Sequence, residues 1–293
     1  MAPQVKTAIA IVTNKGMRYP SSVSDKNTIF FVVAGVSFRI NFKLTEYPYE
    51  RTTLENEIRK IYGVIHRVSF SSVDWDIDIS SSLVRYRKYS HFYFSYLCNI
   101  HGSKVATTYN IGPVQFIHLI STLFSDSMHK KSTFLLHASA VIKNNKALLF
   151  NGPSGIGKST ASNLLNNKLA DDVIAIKEEQ SSFYVYNGPY LEKDIIEKNL
   201  TGYKIGAVFF LKRLNTFSIE KIRDKSEVVQ LLTNQLFTQK KYLKSQYKLL
   251  NRFINNFESF YYLSFQKDKE AFNEFISKFL EKEAQPTTDD IKK

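Results

Sequence analysis

The chain has 293 residues, of which 43% are hydrophobic and 14% aromatic, and it carries a formal net charge of +13. That length suits two modest domains or one large one, and the apolar content excludes a disordered chain. The single cysteine, Cys98 in FYFSYLCNI, excludes an internal disulfide framework or thiolate metal cluster and reads as a buried structural thiol. The basic balance favours anionic partners. No run reaches the roughly 18 apolar residues of a membrane span, and the apolar patch near the start is too short for a signal segment, so a cytoplasmic protein is expected.

Residues 28–42, TIFFVVAGVSFRINF, predict one or two strands with a glycine break, and 51–62 predict a short helix. Alternating β-rich segments follow: VIHRVSFSSVDWDIDIS, LVRYRKYSHFYFSYLC and KVATTYNI. In VDWDIDIS, the alternation makes Trp75 a core residue. Asp74, Asp76 and Asp78 lack the glycine and terminal glutamate of a calcium loop. Gly112-Pro113 punctuates, and residues 114–128 carry apolar residues at helical spacing. Residues 1–130 therefore read as a small β-rich domain closed by a helix.

From Phe134 the pattern changes. FLLHASAVI and ALLF are apolar strands joined by Lys143-Asn144-Asn145-Lys146, and Asn-Asn suits a two-residue hairpin because asparagine tolerates positive φ. If 143 faces 146, then 141 faces 148, 139 faces 150, and His137 lies beside Gly152. A short helix should open at Ser159. VIAI, SFYVYN and KIGAVFFLKR read as further strands, 226–257 as a long helical region broken at most once, SFYYLSFQ as a last strand and DKEAFNEFISKFLEKE as a last helix. The expected second domain is 131–283, with a flexible tail over 284–293.

Gly152-Pro153-Ser154-Gly155-Ile156-Gly157-Lys158-Ser159 matches GxxxxGK[ST] in full, after a strand and before a helix. The glycines let backbone N–H groups turn toward α and β phosphates, and the helix start adds partial positive charge. Lys158 is expected to reach the β and γ oxygens, Ser159 to ligate Mg²⁺, and Thr160 to close the phosphate-binding set. No guanine-specificity motif or transporter signature follows. Downstream, Leu169-Ala170-Asp171-Asp172 heads the strand Val173-Ile174-Ala175-Ile176, reversing the usual order of apolar strand and then aspartate. Adjacent carboxylates on an extended chain point to opposite sides, so one can hold a metal while the other faces an acceptor hydroxyl.

HASAVIKNNKALLFNGPSGIGKST…LADDVIAI resembles the core of the HPr kinase/phosphorylase family, whose fold is shared with phosphoenolpyruvate carboxykinase. The resemblance is strong over about 134–176. It implies an α/β (α+β) phosphate-loop kinase core beside a smaller β-rich N-terminal domain, and an ATP- and Mg²⁺-dependent transfer of the γ-phosphate to a hydroxyl, foremost a serine of a peptide or protein. By the same resemblance Asp171 is the general base, Asp172 the Mg²⁺ ligand with Ser159, and His137 lies near the γ-phosphate, with the two aspartate roles exchangeable. The segment from Thr160 to Asp171 is shorter than in true HPr kinases, and no Arg-Gly-Leu-Gly-Ile loop is found, so HPr itself is not the expected acceptor. A small hydroxylated metabolite is a second acceptor class. A nucleotide-binding regulatory module and an assembly NTPase, both without phosphotransfer, are the alternatives.

His66, His91, His101, His118 and His129 show no metal-ligand spacing. Lys240, Lys244, Lys248 and Arg252 recur every four residues, opposite an expected inner face of Leu236, Leu243, Tyr247, Leu250 and Ile254. That stripe reads first as a solvated helix face and second as a docking surface for an acidic peptide. Nucleic acid is not expected, because no interleaved aromatics or binding motif accompany the charge. A homo-oligomer is compatible with the sequence.

Overall fold

The computed structural model describes residues 27–43, 48–62, 72–80, 98–108, 111–190 and 202–284. The strand expectations over 64–71 and 83–97, His66, His91 and the tail beyond Ala284 fall outside these residues. The architecture is mixed α/β, built on a five-stranded and a nine-stranded sheet.

The first sheet begins with the hairpin of β1 (Thr28–Val33) and β2 (Val36–Lys43), whose turn residues Ala34 and Gly35 have φ of 46° and 88°. Helix α1 (Pro48–Tyr62) precedes β3 (Trp75–Ser80), which runs parallel to β2. β4 (Cys98–His101) and β5 (Lys104–Thr108) complete the order β1-β2-β3-β5-β4. The period-2 alternation decides which face is buried. Phe38, Ile40, Phe42, Trp75, Ile77 and Ile79 point inward, and Trp75 Nε1 donates to the Leu123 carbonyl at 2.9 Å. Cys98 is buried with them, which pushes its thiol up to about 11. The other face carries a ladder of charge. Arg39 holds Asp76 with its Nε at 2.8 Å, Asn41 bridges Asp76 and Asp78, and Lys43 reaches Asp78 at 2.6 Å. These partners engage Asp76 and Asp78, and no group of three metal-ligating side chains occurs among the described residues.

Helix α2 (Pro113–Ser127) buries Phe116, Ile120, Leu123 and Phe124 and joins the first sheet to Leu135, Val173 and Ala175 of the second in one apolar cluster. The second sheet is organised by two long stretches of chain. One is β6 (Thr133–His137) continuing through Ala138 into β7 (Ser139–Lys143). The other is β9 (Lys168–Ala170) continuing through Asp171-Asp172 into β10 (Val173–Glu179). They run antiparallel with His137 opposite Val173 and, three residues further along each strand, Ala140 opposite Ala170. β7 turns into β8 (Lys146–Asn151) through Asn144 and Asn145, at φ 50° and 58°, and the pairs Lys143↔Lys146, Val141↔Leu148 and Ser139↔Phe150 form as the hairpin register predicts.

β10 pairs with β11 (Ser182–Asn187), β11 with β12 (Tyr203–Leu211), and β12 with β8, so the pairing returns to β7 in a closed circuit. β12 also pairs in parallel with β14 (Phe260–Ser264), which β13 (Ser218–Lys221) flanks. Two short strands, β9 and β13, are not foreseen from the sequence. Helices α4 (Lys225–Thr233) and α5 (Leu243–Asn256) cover one face of this sheet, and α3 (Lys158–Leu164) and α6 (Lys269–Ala284) cover the other.

The helical region over 226–257 is broken, and its break has a purpose. Residues 235–237 run extended beside β6, with His137 N donating to Gln235 O at 2.8 Å and Phe237 N to Leu135 O at 3.0 Å. α5 buries Gln246, Leu249, Leu250, Phe253 and Ile254, whereas Leu243, expected inside, is 38% exposed. On the outer face Arg252 is paired with Glu178 at 2.7 Å.

The Arg39 guanidinium holds the Asp76 carboxyl below its usual range. A lowered native value means the stabilisation is present above the ordinary carboxylate range and is lost as pH falls through the native value. Asp76→Asn should therefore cost about 1 kcal/mol at neutral pH, allowing for solvent screening of a partly exposed pair. Urea unfolding at neutral pH and below pH 3 should show that difference shrinking toward zero in acid.

Candidate functional site

The loop Gly152–Gly157 leaves the C-terminal end of β8 and enters α3. Gly152, Gly155 and Gly157 have φ of 142°, 75° and 118°, a region that side chains with a Cβ rarely occupy, so the loop's path depends on glycine at each position. Lys158 is 7% exposed, and its ammonium donates to the carbonyls of Gly152 at 2.8 Å and Pro153 at 3.3 Å. Burial pushes its pKa below the usual lysine value, and the charge of nearby Asp172 opposes that shift. The first turn of α3 is tied to the sheet by Ser139, whose hydroxyl donates to the Lys158 carbonyl at 2.9 Å. Ser159 and Thr160 lie in that turn, both partly exposed.

The aspartates sit where β9 gives way to β10, and their environments differ sharply. The Asp171 side chain is 4% exposed, 3.4 Å from Lys168 Nζ, and accepts from Ser162 of α3 at 3.4 Å. The single Ser162 hydroxyl proton is shared with the Ser159 carbonyl, 3.1 Å away. The Asp172 side chain is 51% exposed and lies 3.0 Å from His137 Nδ1. His137 is at the end of β6, opposite Val173, with a side chain 36% exposed. Regular pairing of β7 with β8 stops at Ser139↔Phe150, so His137 and Gly152 are not ladder partners. Gln235 joins them instead. With its amide nitrogen turned inward, its side chain donates to the His137 carbonyl at 3.3 Å and the Gly152 carbonyl at 3.1 Å.

His137, Lys158, Asp172 and the glycine loop thus gather at one edge of the sheet, with Asp171 directed under α3. Sequence reasoning missed Gln235, Ser139, Lys168 and Ser162, and it missed Arg213, whose Nη2 donates to the Gly155 carbonyl at 2.8 Å. Lys168 three residues before Asp171 is a signal that could have been read. Gln235 and Arg213 come from distant segments and give none. Asn151, the last residue of β8, is fully buried, and neither atom of its amide has a hydrogen-bond partner among the described residues. An unsatisfied buried amide is costly and calls for a reason, such as a place beside a reacting centre.

Mg²⁺ asks little of a protein: oxygen donors, one or two carboxylates, and the remaining positions filled by phosphate and water. Ser159 and the half-exposed Asp172 fit that demand. Asp171, already engaged with Lys168, fits it less well.

No family profile and no curated protein matches the chain. Among solved structures, the HPr(Ser) kinase/phosphatase from Coxiella burnetii aligns with 51% of this chain and 92% of its own, at 13% identity and a TM-score of 0.28. A likeness that low bears no functional weight, so the residues of the site must carry any assignment.

Asn151→Leu should raise the unfolding free energy by about 1–3 kcal/mol, because it removes two unpaired polar atoms from the core at nearly constant shape. Denaturant titration of the two proteins measures the difference. A destabilised variant would mean that the amide has a partner in solution.

Proposed function

We propose that the chain is a phosphotransferase that uses ATP and Mg²⁺ to phosphorylate a hydroxyl, foremost a serine of a peptide or protein, on a phosphate-loop core of the HPr kinase type. The observation that carries this reading is the His137–Asp172 pair at 3.0 Å beside the loop that holds Lys158. A loop serving only to bind nucleotide has no need of a histidine–carboxylate pair at its edge. A transfer site needs a proton acceptor and a metal-side carboxylate there.

In this reading the turned-in backbone of Gly152 to Gly157 holds the phosphate chain, and Lys158 leaves the carbonyls of Gly152 and Pro153 for the β and γ oxygens. Mg²⁺ would be held by Ser159 and Asp172 and would offset charge on the transferring group. The family resemblance gives the base role to Asp171. Its burial and its contacts with Lys168 and Ser162 argue for a different part, that of holding the first turn of α3. We assign the proton of the acceptor hydroxyl to His137, oriented by Asp172 through Nδ1. Most of the rate enhancement then comes from positioning and charge neutralisation.

The test is transfer of label from γ-labelled ATP, with Mg²⁺, into an extract of host cells. Wild type should yield a labelled product. His137→Ala and Asp172→Asn should each reduce labelling by about a hundredfold or more, the usual range for loss of a general base or a charge-stabilising group. Asp171→Asn should mainly lower the melting temperature and reduce labelling less than Asp172→Asn. Release of inorganic phosphate without a labelled product would replace transfer with the assembly-NTPase reading.

A further inference from the structure

Gln235 touches both halves of the candidate site, the His137 strand and the glycine loop. It stands just past the end of α4, where its main-chain N–H donates to the Leu232 carbonyl at 3.0 Å. Leu232 is fully buried, so the residue springs from a fixed point. Its main-chain carbonyl accepts from His137 N at 2.8 Å. An antiparallel pair in that register ordinarily exchanges both N–H···O bonds. Here the returning donor is committed to Leu232, and the side chain supplies it instead. That side chain faces two carbonyls, which only accept, so its amide nitrogen is the inward atom, 3.3 Å from the His137 carbonyl and 3.1 Å from that of Gly152.

The Gly152 carbonyl is also the nearer acceptor of the Lys158 ammonium, at 2.8 Å. A carbonyl oxygen has two lone pairs and can take both donors. The sharing matters once Lys158 turns to phosphate. Held by Lys158 alone, the Gly152 peptide would lose its side-chain partner at that moment, and a glycine at φ 142° offers little resistance to rotation. With Gln235 in place, one donor stays. The first peptide of the loop then keeps its orientation, and its distance from His137, whichever partner Lys158 has.

We propose that Gln235 is a positioning residue, whose side-chain amide holds the strand end that carries His137 at a fixed separation from the loop that carries the transferring phosphate. It touches neither substrate nor metal in this role and acts through two backbone carbonyls. The inference rests on the phosphotransferase reading of the site and gives a part in it to a residue that no motif marks. Transfer depends on reacting groups held in near-attack geometry, and a misplacement of about 1 Å can cost about a hundredfold in rate.

Initial rates of label transfer from γ-labelled ATP into host-cell extract, measured with the full chain and Mg²⁺ over a range of ATP concentrations, test the assignment. Gln235→Met keeps the side chain's length and both main-chain bonds but has no donor. Gln235→Glu keeps the shape and sets a carboxylate against two carbonyls. Each should lower the maximal rate about tenfold or more while the half-saturating ATP concentration moves less than about threefold, because Lys158 and the loop's own donors are intact. Leu236→Ala is the control for stability: it removes an apolar side chain of the same segment, packed on the cluster that α4 and α5 cover, and leaves the Gln235 amide in place. It should lower the melting temperature at least as much as Gln235→Met and keep the maximal rate within about twofold. Unchanged maximal rates in both Gln235 variants overturn the positioning role alone, as does a rate loss in Leu236→Ala equal to that in Gln235→Met. Absence of a labelled product with wild type overturns it together with the phosphotransferase reading.

Discussion

The antiparallel alignment of residues 133–143 with 168–179 is the constraint on which the rest of the structure depends. One face of both stretches, with Phe134, Leu136, Ala140, Ala170, Ile174 and Ile176, lies throughout in the cluster that α4 and α5 cover. The other face changes neighbours: Leu135, Val173 and Ala175 pack against the first sheet and α2, and Val141 belongs to the cluster that α3 and α6 cover. Because Ala140↔Ala170 keeps the register of His137↔Val173, with a shift only beyond it at Val141↔Lys168, the interval between the two pairs is fixed from both ends. Ala138-Ser139 stands on one strand there, and Asp171-Asp172 on the other. His137, Ser139 and both aspartates belong to that interval or adjoin it. The candidate site is thus an interruption in a ladder that β pairing holds on either side, which places polar groups accurately without a regular hydrogen-bond pattern.

The same interruption explains why two neighbouring carboxylates differ so much. On extended backbone, successive side chains point to opposite faces. One face here is roofed by α3, so Asp171 is almost fully enclosed and meets Lys168 and Ser162. The opposite side stays open, and Asp172 keeps about half its surface and a histidine. Removing either carboxylate would therefore do different damage. Loss of Asp171 takes a buried carboxylate from beside a largely buried lysine, while loss of the half-exposed Asp172 mostly alters local charge.

Much of this was legible in the sequence where the signal is local. Asn144-Asn145 specifies its turn because both residues tolerate positive φ, and the turn fixes the register through Ser139↔Phe150. Alternation in WDIDIS marks the buried face of β3 correctly, down to Trp75. The Gly-Lys-Ser motif marks the loop, and its strand–loop–helix setting is present. What was not legible is non-local. β9 has three residues, too few for any periodicity. Gln235 reaches the site only because 235–237 pairs with β6, which breaks a stretch whose apolar spacing alone would run on as helix. Arg213 reaches Gly155 because β12 is parallel to β8, a fact of topology that no spacing in the chain encodes.

The cations at the glycine loop are held by the loop's own carbonyls, Lys158 by Gly152 and Pro153 and Arg213 by Gly155. A hydrogen bond from a charged donor to a neutral carbonyl is worth about 1.5–3 kcal/mol net, and one to a charged oxygen is stronger still. Exchange of these carbonyls for phosphate oxygens is therefore downhill for each cation, provided desolvation does not consume the gain. For Lys158 that cost is already met on folding: it is 7% exposed, and burial has lowered its pKa. The carbonyls it leaves can turn back to backbone donors or water, since the positive-φ glycines permit small rotations at little cost. Arg213 is more exposed and keeps its hydration, so its exchange gains less and is more sensitive to salt. The loop then has one preorganised cation at its centre and one adaptable cation at its rim.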